Sequence, residues 1–154
     1  MKIILSPTRG GEKSYPNQDF AIQLAKEMDA KLIFLYVSDV KFDNQLSTPV
    51  LIDLAAELED MGAFLLAMAQ ERASKSGIKA DIVVRSGTFR ELVETLIPQY
   101  EVSTLVLGSS NEDSGHTSND YMQQLSQALA DAHIIEVLLL RDGQLLNEFK
   151  AAKN

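Results

Sequence analysis

Five short apolar runs, separated by four stretches of helical spacing, set the limits on what this chain folds into. The runs are Ile3 to Ser6, Leu32 to Val37, Asp81 to Arg85, Thr104 to Leu107 and Ile134 to Leu140. Leu32–Val37, Leu105–Leu107 and Val137–Leu140 are almost unbroken apolar stretches. Strands read this way when helices cover both faces of their sheet, so that neither face meets water. Asp81–Arg85 is bounded by charge, which suits a strand nearer the sheet edge. Strands that alternate with helices imply right-handed crossovers and a parallel sheet.

The intervening segments carry helix signals. Phe20, Ala21, Leu24, Ala25 and Met28 share a face in a helix expected to begin just after Pro16. A long helix is expected from Pro49 to about Ser76, with Thr48 as N-cap, Pro49 in the first turn and Gly77 as the stop. Its buried stripe is read as Leu51, Leu54, Leu58, Met61, Leu65 and Met68, at spacings of three and four. Thr88 and Glu91 have capping-box spacing ahead of Leu92, Val93, Leu96 and Ile97, and Pro98 helps to end that helix. The last helix carries Met122, Leu125 and Leu129 on one face. Residues 1–140 read as one domain without an internal repeat. Residues 141–154, with Gly143, several charges, Leu145, Leu146 and Phe149, read as a loosely docked polar extension and a candidate partner contact.

Composition narrows the function. The chain has 154 residues, enough to bury a core unaided, and 45% hydrophobic against 23% charged residues marks it as globular. The absence of cysteine excludes disulfides, thiolate zinc sites and a thiol nucleophile. A net charge of −8 with scattered Lys and Arg argues against nucleic acid as a partner. Three apolar residues near the N-terminus are too few for a signal-peptide core, and no run suggests a membrane span, so the expected location is cytoplasmic.

A ligand site on an open parallel sheet is expected beyond the C-terminal ends of strands, where their order reverses. Pro7-Thr8-Arg9-Gly10-Gly11 follows the first strand, and Gly108-Ser109-Ser110-Asn111 opens a polar stretch that reaches Asp120. Small residues there let backbone N–H groups approach an anion, although Gly10 and Gly11 serve a plain turn equally well. Arg9-Gly10-Gly11-Glu12-Lys13-Ser14 lacks the spacing of a Walker loop. Glu112, Asp113, His116 and Asp120 read as a solvated loop in preference to a metal site, and His133 suits a helix C-terminus. Ser109 or Ser110 with His116 lacks a nucleophile-elbow pattern, so no catalytic residue is named.

The element order, the opening Lys2-Ile3-Ile4-Leu5-Ser6-Pro7-Thr8, the long second helix, Val84-Arg85-Ser86-Gly87, and Leu105-Val106-Leu107-Gly108-Ser109 before a polar loop together resemble the universal stress protein family. The resemblance covers roughly residues 2 to 140. It implies an α/β, three-layer open parallel five-stranded sheet in the order 3-2-1-4-5 with helices on both faces, the adenine nucleotide alpha hydrolase-like arrangement. It also implies a homodimer through the last strand. Many members bind ATP or AMP, with an acidic residue soon after the first strand and a Gly-x2-Gly-x9-Gly motif after the fourth. Here Pro7 and Thr8 match, Arg9 replaces the acid, and Gly108 matches the first glycine. Asn111, Tyr121 and Met122 stand where the other two glycines and the hydroxyl belong, and Gly115 is off the spacing.

The reading is therefore a non-enzymatic regulatory or binding module with a degenerate nucleotide site, no bound cofactor and a protein partner. The alternative is an ATP or AMP sensor with a variant site at Pro7, Thr8, Arg9, Val37, Gly108 and Ser109, Val37 lining the adenine pocket by resemblance. A nucleotide-hydrolysing enzyme of the same superfamily is the third reading. For Arg9 a surface salt bridge is expected ahead of an anion contact.

Overall fold

The computed structural model describes residues 1–39, 48–109 and 119–152, apart from the side chains of Thr48 and Leu51. In chain order the elements are β1 (Ile3–Pro7), a 3₁₀ turn (Glu12–Ser14), α1 (Tyr15–Met28), β2 (Lys31–Ser38), α2 (Thr48–Lys75), β3 (Ala80–Ser86), α3 (Phe89–Gln99), β4 (Thr104–Gly108), α4 (Asn119–His133), β5 (Glu136–Arg141) and β6 (Gln144–Phe149). They build one six-stranded sheet in the order β3-β2-β1-β4-β5-β6. The first five strands run parallel and take the expected order, with β3 at an edge.

Each sheet face carries its own core. On one, Leu5, Ile33, Leu35, Leu105, Leu107 and Leu139 pack with Val93, Leu96, Leu125 and Leu129 of α3 and α4. On the other, Ile4, Leu32, Phe34, Val106 and Leu138 pack with Ala21, Ile22 and Ala25 of α1 and Leu66, Ala69 and Ala73 of α2. The alternation of side chains along each strand divides the apolar runs between the two layers, which is why they read as continuous.

Four expectations are corrected. Six strands replace five: residues 141–154 are no loose extension, because Gln144–Phe149 pairs antiparallel with β5 and buries Phe149 in the core. β6 thereby covers the outer edge of β5 and becomes the edge strand on that side of the sheet.

The buried stripe of α2 also differs. Leu54, Met61 and Met68 are exposed at 38%, 47% and 37%, whereas Gly62, Leu66, Ala69 and Ala73 face the sheet. The reason is the close approach of α2 to β2: a Cβ on Gly62 would stand 2.3 Å from Tyr36 Cδ1, so a small-residue face must lie inward. Third, Thr88 takes the N-cap position but makes no side-chain cap hydrogen bond, and α3 runs through Pro98 to Gln99. Last, β5 begins at Glu136 because Ile134, with φ 54°, ends α4 in the left-handed region and is 81% exposed.

Candidate ligand crevice at the C-terminal ends of β1 and β4

From β1 the chain passes through α1 to β2 on one side, and after β3 it crosses to β4 on the other. The crevice of an open sheet lies where this reversal separates the connections. The register pairs Ile4 with Thr104 and Leu5 with Leu105, and carried along the strands it brings Thr8 level with Gly108. On the other flank Pro7 pairs with Leu35, which brings Arg9 level with Val37. The structure thus places Pro7, Thr8, Arg9, Val37, Gly108 and Ser109 at one end of the sheet.

The groups there are engaged by the chain itself. Thr8 N–H donates to Leu35 O at 2.9 Å. Its hydroxyl oxygen accepts from Gly10 N–H at 3.1 Å and from Gln18 Nε2 at 3.0 Å. Gln18 is buried, and its Oε1 has no hydrogen-bond partner among the described residues. Gly10 holds φ at +82°, and a Cβ there would stand 2.5 Å from Leu65 Cβ, so the loop after β1 is seated tightly on α2. That packing accounts for the glycine without a ligand. The next residues form the 3₁₀ turn, with Ser14 N–H donating to Gly11 O at 2.8 Å, and lead into α1.

Asn17 spans the crevice. A Cβ on Gly108 would stand 2.9 Å from Asn17 Nδ2, so the amide stands close beside that glycine, which is itself exposed. At its other end Asn17 Oδ1 accepts from Gly143 N–H at 2.7 Å. Gly143 has φ +80°, and a Cβ on it would meet Pro16 Cβ at 2.9 Å and Pro16 O at 3.0 Å. The β5–β6 turn therefore rests on the first turn of α1. Ser109 N–H donates to Leu140 O at 2.7 Å, while Ser109 Oγ is buried without a hydrogen-bond partner among the described residues. Val37 is half-buried against the α3/α4 core. Arg9 is exposed and makes no ion pair with a described residue, so the surface salt bridge expected for it is not found there.

Sequence reasoning missed Asn17, Gln18 and Gly143. The first two follow Pro16 in the opening turn of a helix, where a polar pair reads as a plain solvent-facing end. Asn111, Gly115, Glu112, Asp113, Ser110 and His116 lie outside the described residues. Tyr121 and Met122 fall in the first turn of α4, with Met122 buried in the core. Among the described residues no three His, Asp or Glu side chains gather into a metal site, and no helix is long and apolar enough to cross a membrane. Two surface depressions lie at the opposite end of the sheet, one between α2 and Ala80, the other around Met1, Lys31 and Asp81. There the Asp81 carboxylate, hydrogen-bonded at 2.8 Å, raises the Lys31 pKa above its ordinary value.

A family model described as "Universal stress protein family" matches residues 1–139. No curated protein sequence matches the chain. Among solved structures, the universal stress protein UspA from Lactobacillus plantarum is 20% identical, with 91% of this chain and 97% of that chain covered at a TM-score of 0.73. A universal stress protein in complex with cAMP is 19% identical, covering 90% and 96% at a TM-score of 0.62. A universal stress protein family protein from Arabidopsis thaliana with AMP bound is 14% identical, covering 92% of each at a TM-score of 0.57. At these identities the structures establish a shared fold.

Proposed function

From the premise that this chain belongs to the universal stress protein family, we propose that it is a non-enzymatic regulatory or binding module whose nucleotide crevice is closed by its own side chains. The observation that carries this reading is Asn17, whose amide stands close beside Gly108 and accepts the Gly143 N–H. A phosphate at that glycine would need the space and the backbone approach that Asn17 takes. Arg9 in place of the family's acid, and Tyr121 in place of its third glycine, point the same way. The module acts in the cytoplasm as a homodimer, through contacts with a protein partner and without a cofactor or turnover.

A thermal melt with and without millimolar MgATP tests this, together with chromatography of any nucleotide released on denaturation. The expected outcome is no shift and no nucleotide. A ligand at a hundred times its dissociation constant would add about 2.7 kcal/mol and raise Tm by about 5 to 10 °C, and that result would overturn the reading.

A second reading, an AMP- or ATP-binding sensor, draws on the cAMP and AMP seen in two similar structures. It is also favoured by the gathering of Pro7, Thr8, Val37 and Gly108, and by the unpartnered Gln18 Oε1 beside Thr8. It requires Asn17 to swing off Gly108, and a melt shift that grows in Asn17→Ala would support it. Phosphate release over time separates either reading from a nucleotide-hydrolysing enzyme.

A further inference from the structure

The chain carries 22 acidic residues against 14 basic ones, so an arginine on its surface has many carboxylates to meet. Arg72 is held by Asp19 at 2.5 Å and lies over the Tyr15 ring, Arg90 stands 3.8 Å from Glu94, and Arg141 is engaged within the fold. The other two arginines, Arg9 and Arg85, are exposed and pair with no carboxylate among the described residues. The acids on the adjoining segments, Glu12, Asp39 and Glu91, form no ion pair with either.

These two arginines share one row of the sheet. Val37 pairs with Arg85, and the β1–β2 register, continued by the bond from Thr8 N–H to Leu35 O, sets Arg9 level with Val37. Neighbouring strands lie about 4.8 Å apart, so the row reads cation, apolar residue, cation over about 10 Å. Val37 is half-buried against the α3/α4 core and gives the row an apolar floor between its two charges. Arg85 Nη1 donates to Val84 O of its own strand at 2.9 Å, which keeps that guanidinium on its side of Val37. A guanidinium is a planar fork matched to a carboxylate. Two of them held apart across an apolar residue match an acid group at each end of a short carbon chain. A single small anion would have to draw both like charges together over Val37.

We infer that the row Arg9–Val37–Arg85, at the ends of β1, β2 and β3, binds a small dicarboxylate with one carboxylate on each guanidinium. This goes beyond the closed nucleotide crevice, because the row lies on the β2 flank, away from Asn17 and Gly108. Its probes carry no nucleotide, so a failure of either reading leaves the other standing. Both contacts are exposed, so binding is weak and falls as salt rises.

Titration with glutarate, followed by proton–nitrogen correlation spectra of the arginine Nε–H groups and the Val37 amide, tests the site. Saturating shifts are expected at Arg9, Val37 and Arg85, with acetate at matched ionic strength binding about tenfold more weakly. Arg9→Gln and Arg85→Gln should each weaken glutarate binding by about tenfold, whereas Arg90→Gln, whose arginine faces Glu94, should leave it unchanged. Arg9 and Arg85 are exposed, so circular dichroism of both variants should match the parent. Shifts that never saturate, equal affinity for acetate, or binding indifferent to Arg9→Gln or to Arg85→Gln would each overturn the assignment. Inorganic phosphate that binds more tightly than glutarate would overturn the ligand class.

Discussion

The crevice between β1 and β4 and the outer face of α2 differ in how far the chain satisfies them itself. In the crevice, the Thr8 hydroxyl accepts from Gly10 N–H and Gln18 Nε2, and separately Asn17 Oδ1 accepts from Gly143 N–H. On α2, Met61 and Phe64 stand in water at 47% and 65% exposure while an alanine-lined face meets the sheet. Polar groups that find partners within the fold lower the gain from binding a ligand, because those hydrogen bonds must first be broken. Apolar side chains left in water raise the gain from any surface that covers them. Among the described residues, polar groups at the ends of β1 and β4 find partners within the chain, while the outer face of α2 carries apolar side chains in water.

The widest separation between the two faces of α2 is expected in its core. Leu66 is fully buried, so Leu66→Ala should cost about 2–5 kcal/mol in urea unfolding, whereas Phe64→Ala should stay within about 0.5 kcal/mol for the monomer. Equal losses would mean that α2 sits rotated from the position described. Gly62→Ala drives a methyl into the Tyr36 ring and should cost about 1–3 kcal/mol, with loss of near-ultraviolet tyrosine signal. A neutral result would break the argument that close approach turned the larger side chains outward.

On the crevice side, Asn17→Ala removes the acceptor of the Gly143 N–H and should cost about 1–2 kcal/mol in the same unfolding assay. No loss would mean that the turn docks on α1 by packing alone. The smallest effect belongs to the exposed Lys31–Asp81 pair at the far end of the sheet. The hydrogen bond to Asp81, and then its charge, raise the Lys31 pKa, so the pair's contribution is complete at neutral pH and is lost as pH climbs through that raised value. Water screens such a pair, so Lys31→Met should leave the melt unchanged from pH 5 to 9, with any difference from the parent narrowing above about pH 10.

Most of the sheet was legible because its strands are buried on both faces and its helices punctuate them. The order of strands came with the resemblance and not from the pattern. β6 escaped notice because its first five residues are exposed and only Phe149 reaches the core, so Gln144–Phe149 shows no apolar run. The stripe of α2 was misassigned because size was taken as the mark of burial. In fact Gly62 allows an approach to Tyr36 that admits only small neighbours. In the crevice, the register brings together strand-end positions whose adjacency the resemblance implied. The contact of Asn17 with Gly143 was not legible, since it joins residues 126 positions apart and neither carries a local signal of the other.

Amide hydrogen exchange at Gly143, with and without millimolar MgATP, tests the closed crevice most directly. Its N–H donates to Asn17 Oδ1 in an otherwise tight turn. The account predicts a protected amide, released in Asn17→Ala and indifferent to the nucleotide. Exchange at the rate of an open surface turn, or a change in protection when MgATP is added, would contradict it.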